Sequence, residues 1–188
     1  MSIMKPFRLA WVQWLWVLSA LVLLLGGVFI INEPDYRLAF LASRLGLIML
    51  FAGLSNLVVY FRKNNEIHGS RWLLAEGLST SLLALFPIFN EMVDTSIIPF
   101  FFGVWELFSG ILEVVDAKEL EEENIKIWYC FFAVGCAELL SGTAAMIEGV
   151  DHAVGINHVI AIIMFVQSCG FLFKIIAYSH LNINEVEK

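Results

Sequence analysis

The chain has 188 residues, of which 60% are hydrophobic and only 15% are charged, and its mean hydropathy is +0.81. Soluble domains carry about 25% charged and 45–50% apolar residues, so the excess apolar surface must face something other than water. The net charge of −7 and the lack of a basic stripe in the sequence exclude a nucleic-acid-binding surface. Composition therefore predicts an integral membrane protein that has the lipid bilayer, and no nucleic acid, as its partner.

The apolar residues form six runs, each long enough at about 1.5 Å per residue to cross a hydrocarbon core of about 30 Å. Backbone groups in lipid must be paired within their own segment, so these runs are predicted to be helices. We expect an all-α polytopic protein with a single membrane domain over 1–188. The predicted helices are 11–31, 37–61, 71–89, 96–116, 126–147 and 154–178.

The positive charges are distributed unevenly about these helices. Arg37 and Arg44 lie on one side, and the other nine lysines and arginines lie on the opposite side. Because such an excess marks the cytoplasmic side, both termini are predicted to be cytoplasmic. An acidic run on that side is predicted to be a solvated loop, and comprises Asp116, Glu119, Glu121, Glu122 and Glu123.

An internal repeat relates the even-numbered helices. Helices two and four align without gaps at an offset of 57, which places Gly46 over Gly103 and Gly53 over Gly110. Helix six aligns less clearly at a further offset of 60, through Gly170 over Gly110. The sequence thus predicts a two-helix hairpin repeated three times in one orientation.

These features resemble the HdeD-like family of small bacterial inner-membrane proteins. The resemblance is carried by the hairpin repeat, the paired glycines followed by Phe-small-Gly, and the segment 69–77 ahead of Pro87. It implies a six-helix inner-membrane protein with a role in acid resistance and the stress response. It supplies no reaction and no catalytic residues. The chain departs from the family by carrying acids inside helices four and five.

Glycines spaced by seven residues lie on one face of a helix, where they let a neighbouring helix approach closely. We interpret three such pairs as helix-packing positions: Gly46 and Gly53, Gly103 and Gly110, and Gly135 and Gly142.

Two acids occupy the same pattern, Gly-x-x-Glu-x-x-x-Gly, in helices four and five. The spacing puts Glu106 and Glu138 between their glycines on the packed face, roughly 15–18 Å deep. An ionised carboxylate at that depth costs about 2.5–3.5 kcal/mol, so both are expected to be protonated at neutral pH. They form either a proton-responsive pair or permanently neutral acids that hold helices together.

Three further charges are predicted near the cytoplasmic ends of helices three, four and six. We expect Lys174 to pair with Glu76 or Glu113 while its ammonium extends towards the interface. Asn56 and Gln167 are predicted to donate hydrogen bonds between helices. The tryptophans are predicted to be interfacial anchors except Trp105, which lies deep.

His152 and His158 lie on the outer side, beside Glu148 and Asp151. Histidine changes charge near pH 6.5, so the pair is a candidate pH sensor, although a solvated loop is the commoner explanation of such residues. Because neither H-x-x-x-H nor H-E-x-x-H occurs, we predict no metal site.

Three functions remain open at this point. The first is a non-enzymatic inner-membrane protein that supports tolerance of acid. The second is a small proton-coupled transporter or channel that uses Glu106 and Glu138 and assembles as a homo-oligomer. An enzyme is not expected, because the sequence has no G-x-S-x-G motif and no metal-ligand set, and no cofactor is expected.

Overall fold

The computed structural model describes residues 13–32, 38–63, 70–89, 97–122, 124–151 and 155–184. Six α-helices occupy these residues, so the predicted number and order of helices are confirmed. They are α1 (Gln13–Asn32), α2 (Leu38–Lys63), α3 (Ser70–Phe89), α4 (Ile97–Glu122), α5 (Trp128–Asp151) and α6 (Ile156–Asn184). The fourth and sixth helices each extend six residues beyond the predicted apolar runs.

Each helix is long and apolar enough to cross a membrane. Pro99 is the third residue of α4, where its missing N–H would have no helical partner in any case, whereas Pro87 is the third residue from the end of α3 and removes one backbone hydrogen bond in the last turn. Large apolar side chains also cover the outside, among them Leu82, Phe89 and Leu140. Such a surface is untenable in water but natural in lipid, and the chain is a multi-pass membrane protein.

The bundle is built from three helix pairs. The most extensive contacts are those of α4 with α5, followed by α2 with α3 and α1 with α6. Sequence neighbours form the first two pairs, whereas the third joins the first and last helices. Smaller interfaces, notably between α5 and α6, connect the pairs.

Glycines set the crossing of α4 and α5. A Cβ on Gly103 would lie 2.7 Å from the carbonyl oxygen of Gly142, and a Cβ on Gly110 would lie 2.8 Å from that of Gly135. Real Cβ atoms do not approach so closely, so the two backbones pack directly against each other. The predicted packing role of these four glycines is confirmed.

The crossing of α2 and α3 repeats this arrangement. A Cβ on Gly53 would lie 3.0 Å from the carbonyl oxygen of Gly77, and a Cβ on Gly46 would lie 3.0 Å from that of Ala84. Ala84 therefore occupies the place that a glycine occupies in α5. The equivalence of α3 and α5 is poorly visible in the sequence because backbone proximity, rather than side-chain identity, is what the two crossings share.

The pair α1–α6 packs differently. The space beside Gly27 is filled by the ring of Phe165, and that beside Gly26 by the side chain of Met164. Ser168 Oγ donates a hydrogen bond of 2.8 Å to the carbonyl oxygen of Ala20. Side chains thus take the role that glycine crossings have in the other two pairs.

Two buried tryptophans connect helices through hydrogen bonds. Trp105 Nε1 donates to Thr80 Oγ1 at 3.1 Å, as its predicted depth requires. Trp16 is also buried, and its Nε1 donates to Asn56 Oδ1 at 2.8 Å. The prediction that Trp16 is an interfacial anchor is therefore wrong, because the indole turns into the bundle. Asn56 forms a hydrogen bond between helices, as predicted, and in this bond its amide oxygen is the acceptor.

Candidate functional site

A buried lysine links three helices at the end of the bundle where α3 begins and α4 ends. Lys174 Nζ of α6 donates to both carboxylate oxygens of Glu76, at 2.7 and 2.6 Å, and forms an ion pair of 2.9 Å with Glu113 Oε1. It also lies 5.3 Å from the centre of the Phe171 ring. The lysine pairs with both predicted acids, not with one.

The prediction that Lys174 extends to the interface is wrong. Its side chain is only 2% exposed, and the carboxylates of Glu76 and Glu113 are equally enclosed. Two anions within bonding distance compensate the ammonium inside the bundle, so it has no need to reach water. The prediction failed because the sequence gives the depth of a residue in the membrane but not which residues of other helices lie close to it.

Glu106 lies at the bundle centre and is 0% exposed. Ser141 Oγ of α5 donates to its Oε1 at 3.1 Å, and Gln167 Nε2 of α6 donates to its Oε2 at 3.1 Å. One acid thus connects α4, α5 and α6, and the predicted donor role of Gln167 is confirmed.

Glu138 is also 0% exposed, but its surroundings are different. Neither carboxyl oxygen has a hydrogen-bond partner among the described residues. Its Oε1 lies 3.4 Å from the position that a Cβ would take on Gly170, and Glu113 Oε1 lies 3.5 Å from the same point. The two carboxyl groups therefore both border a residue that has no side chain.

The two acids hold equivalent places in the α4–α5 crossing. The Cβ of Glu106 lies 3.1 Å from the Cβ position of Gly142, and the Cβ of Glu138 lies 3.0 Å from that of Gly110. Because the helices are antiparallel and share one motif, each acid packs over a glycine of its partner helix. Glu106 and Glu138 are thus both enclosed between helices, as the glycine spacing predicts.

The acidic run after Glu113 is not a loop. Asp116, Glu119, Glu121 and Glu122 lie in the last turns of α4, and Glu123 lies outside the described residues. Asp116 is only 5% exposed, and its Oδ1 has no hydrogen-bond partner among the described residues. It lies one turn from Glu113, on the same buried face. The spacing of three residues between the two acids could have predicted this shared face, whereas the acidic composition of the run suggested a loop.

Glu119 makes a contact that fixes the end of α4. It is exposed and accepts a hydrogen bond of 2.5 Å from Trp72 Nε1 of α3. The interfacial position predicted for Trp72 thus includes a direct polar contact with a neighbouring helix.

The outer-side candidates lie apart from this cluster. His158 is exposed near the start of α6, and Arg44 is exposed near the start of α2. His152 and the side chains of Glu148 and Asp151 lie outside the described residues. The predicted pairing of the two histidines therefore lies outside the described residues. Across the described part of the chain, no three His, Cys, Asp or Glu residues form a group that could hold a metal ion.

Glu76, Glu106, Glu113, Asp116 and Glu138 are all buried, and the buried cation among the described residues is Lys174. One lysine cannot neutralise five carboxylates. In a medium where an uncompensated charge is costly, the cluster must hold protons or recruit cations.

Two segments of this chain, residues 18–89 and 75–150, match the sequence model of one family, described as a short repeat of unknown function, DUF308. The chain belongs to the DUF308 family. HdeD-like proteins are members of that family, so the resemblance is confirmed at the level of the family. Comparison with curated proteins and with solved structures found no significant match.

The two DUF308 segments begin 57 residues apart, which is the offset that superimposes α2 on α4. The copies agree in their glycine crossings but not in polarity. Met49 and Thr80 stand three residues after Gly46 and Gly77, where Glu106 and Glu138 follow their own glycines. The buried acids at the crossing are therefore a property of the second DUF308 copy.

Proposed function

We propose that this DUF308 protein is a non-enzymatic, proton-responsive protein of the bacterial inner membrane that supports tolerance of acid. The observation that carries the proposal is Glu138, a fully buried carboxyl group without a hydrogen-bond partner among the described residues. Such a group carries its proton at neutral pH and changes the charge of the bundle when the proton leaves.

The neighbouring charges make Glu138 sensitive to its surroundings. The charged groups around it are Glu106 and Glu113 of α4, Lys174 of α6 and Glu76 of α3. Since Lys174 is already bound by two carboxylates, ionisation of Glu138 would add a negative charge that no free cation in the described interior offsets. Protonation and helix packing are therefore coupled at this residue.

The resemblance to HdeD-like proteins supports the physiological part of the proposal. Because Glu138 already holds its proton at neutral pH, acidification of the envelope would leave this site uncharged, and the bundle would keep its packing under the conditions in which acid resistance is needed. The excess of lysine and arginine on one side supports cytoplasmic termini.

Infrared difference spectroscopy of the protein in lipid tests the buried proton. We expect a protonated-carboxyl band at neutral pH that Glu138→Gln weakens, whereas Glu121→Gln, on the exposed end of α4, leaves it unchanged. A spectrum without a protonated-carboxyl band at pH 7 contradicts the proposal. Cells that carry Glu138→Gln should also survive acid challenge less well than cells with Glu121→Gln.

Proton-coupled transport is a second candidate function. It is favoured by the position of Glu138 between two satisfied groups, the Lys174 ion pairs and the hydrogen-bonded Glu106. A proton that moves between them needs an intermediate carboxyl group that is not already held in an ion pair or a hydrogen bond. Proton flux into proteoliposomes that is lost in Glu138→Gln would support transport, and equal flux in both proteins would exclude it.

A further inference from the structure

A groove lies between α5 and α6 on the outer surface of the bundle. It encloses about 440 Å³, within the range of small-molecule sites. The two helices contact each other much less extensively than α4 and α5 do, which leaves the groove open between them. Its walls are almost wholly apolar, and include Cys130, Ala133 and Ala137 of α5 and Phe165, Cys169 and Phe173 of α6.

One side chain borders both this groove and the surroundings of the buried carboxyl groups. Val134 lines the groove, and its Cγ1 also lies 3.5 Å from the Cβ position of Gly170. Glu138 Oε1 and Glu113 Oε1 converge on that same point, at 3.4 and 3.5 Å. Val134 and Glu138 are four residues apart on one face of α5, so the acid lies one helical turn from the groove wall.

The chemistry on the two sides of this wall is complementary to one class of ligand. The groove offers apolar and aromatic surface, while Glu138 offers a buried carboxyl group whose two oxygens have no hydrogen-bond partner among the described residues. The three ammonium donors of Lys174 are directed to Glu76 and Glu113. A ligand with an apolar body and a nitrogen donor would satisfy both sides at once.

We propose that the α5–α6 groove binds a lipophilic amine from the bilayer, with its nitrogen at the Glu138 carboxyl group. The inference rests on the proposed function, because it takes Glu138 as protonated before binding. The neutral amine accepts that proton, and an ammonium–carboxylate pair forms with no change in net charge. Displacement of the small Val134 side chain opens the contact.

The test uses the full-length protein in lipid nanodiscs, titrated with 4-phenylbutylamine and with its neutral counterpart 4-phenylbutanol. We expect the amine to bind about tenfold more tightly than the alcohol, because a charge-assisted hydrogen bond replaces a neutral one. In Glu138→Gln the preference should disappear while the alcohol binds as before. Equal binding of the two compounds to the wild-type protein, or an amine preference that survives in Glu138→Gln, overturns the inference.

Two variants of the groove and one control check its position. Ala133→Phe fills the groove and should abolish binding of both compounds, whereas Val134→Ala thins the wall and should tighten amine binding. Val22→Phe, in the separate groove between α1 and α2, should have no effect. Unchanged binding in Ala133→Phe, weaker amine binding in Val134→Ala, or a loss in Val22→Phe would place the ligand elsewhere.

The infrared experiment separates the two possible failures. If the protonated band of Glu138 is present but amine and alcohol bind equally, the amine site is wrong and the proposed function stands. If the band is absent, the proposed function fails, and an amine preference at Glu138 would then reflect an ionised carboxylate.

Discussion

The helix pairs α2–α3 and α4–α5 cross through equivalent backbone contacts but differ in what they bury at the crossing. Met49 and Thr80 occupy the places in the first pair that Glu106 and Glu138 occupy in the second. The small residues therefore fix the geometry, and the positions between them are left to vary. At the position three residues after the first glycine of each helix, the first pair buries a methionine and a threonine, whereas the second pair buries two acids on the same framework.

The largest effect is expected where the two pairs are joined, at Lys174. Lys174→Met leaves Glu76 and Glu113 close together without their shared cation, and should lower the free energy of unfolding by about 3–5 kcal/mol. Denaturant unfolding in mixed micelles measures it, with the exposed Lys118→Met as the control. A loss no greater than that of the control would show that the ion pairs contribute little.

The shared geometry predicts equal sensitivity at the two crossings. An alanine Cβ would lie 2.8 Å from Gly135 O in Gly110→Ala and 2.8 Å from Ser81 N in Gly53→Ala. Both variants should lose about 1–3 kcal/mol of stability through overpacking. Gly170→Ala is the matched control, since its nearest neighbours lie at 3.4–3.5 Å. If all three variants unfold alike, close backbone contact is not what distinguishes the crossings.

Replacement of each buried acid in turn separates the contribution of its hydrogen bonds to stability from that of helix packing. Glu106→Met leaves Ser141 and Gln167 without their acceptor and should cost about 1–3 kcal/mol. Glu138→Met removes a carboxyl group that has no hydrogen-bond partner among the described residues, and should leave stability unchanged or raise it. The same unfolding measurement decides, and a greater loss at Glu138 would contradict the assignment of partners.

The smallest effect concerns the hydrogen bond between the two pairs. Trp105→Phe removes the 3.1 Å bond to Thr80 and should cost about 0.5–1.5 kcal/mol. Thr80→Val should cost a similar amount, and the double variant should cost less than the sum of the two single changes. Fully additive losses would mean that the two side chains stabilise the bundle independently.

Most of the fold follows from the sequence, because long apolar runs have few alternatives in lipid. The ends of α4 and α6 do not follow, since a helix can continue past its apolar run into polar sequence. The burial of Glu106 and Glu138 was predictable because each acid lies between two glycines. The sequence could not predict which of the two acids has hydrogen-bond partners, because Gln167 and Ser141 contact Glu106 from other helices.

The part of the site around Lys174 was the least predictable. Asp116 belonged by composition to an exposed acidic run, yet its helical face is that of Glu113. Likewise, no local sequence pattern near Lys174 indicates that both carboxylate oxygens of Glu76, 98 residues earlier, accept hydrogen bonds from the lysine. Such contacts depend on tertiary proximity, which local periodicity does not encode.

The pairing of α1 with α6 has a consequence for biogenesis. Ser168 and Ala20, joined by a hydrogen bond, are separated by 148 residues, so the first helix enters the bilayer long before its partner is synthesised. Until α6 is inserted, α1 must remain bound to the insertion machinery or pack against another helix. Assembly of this bundle should therefore be completed late, and a nascent chain released before its sixth helix should be a preferred target of membrane proteases.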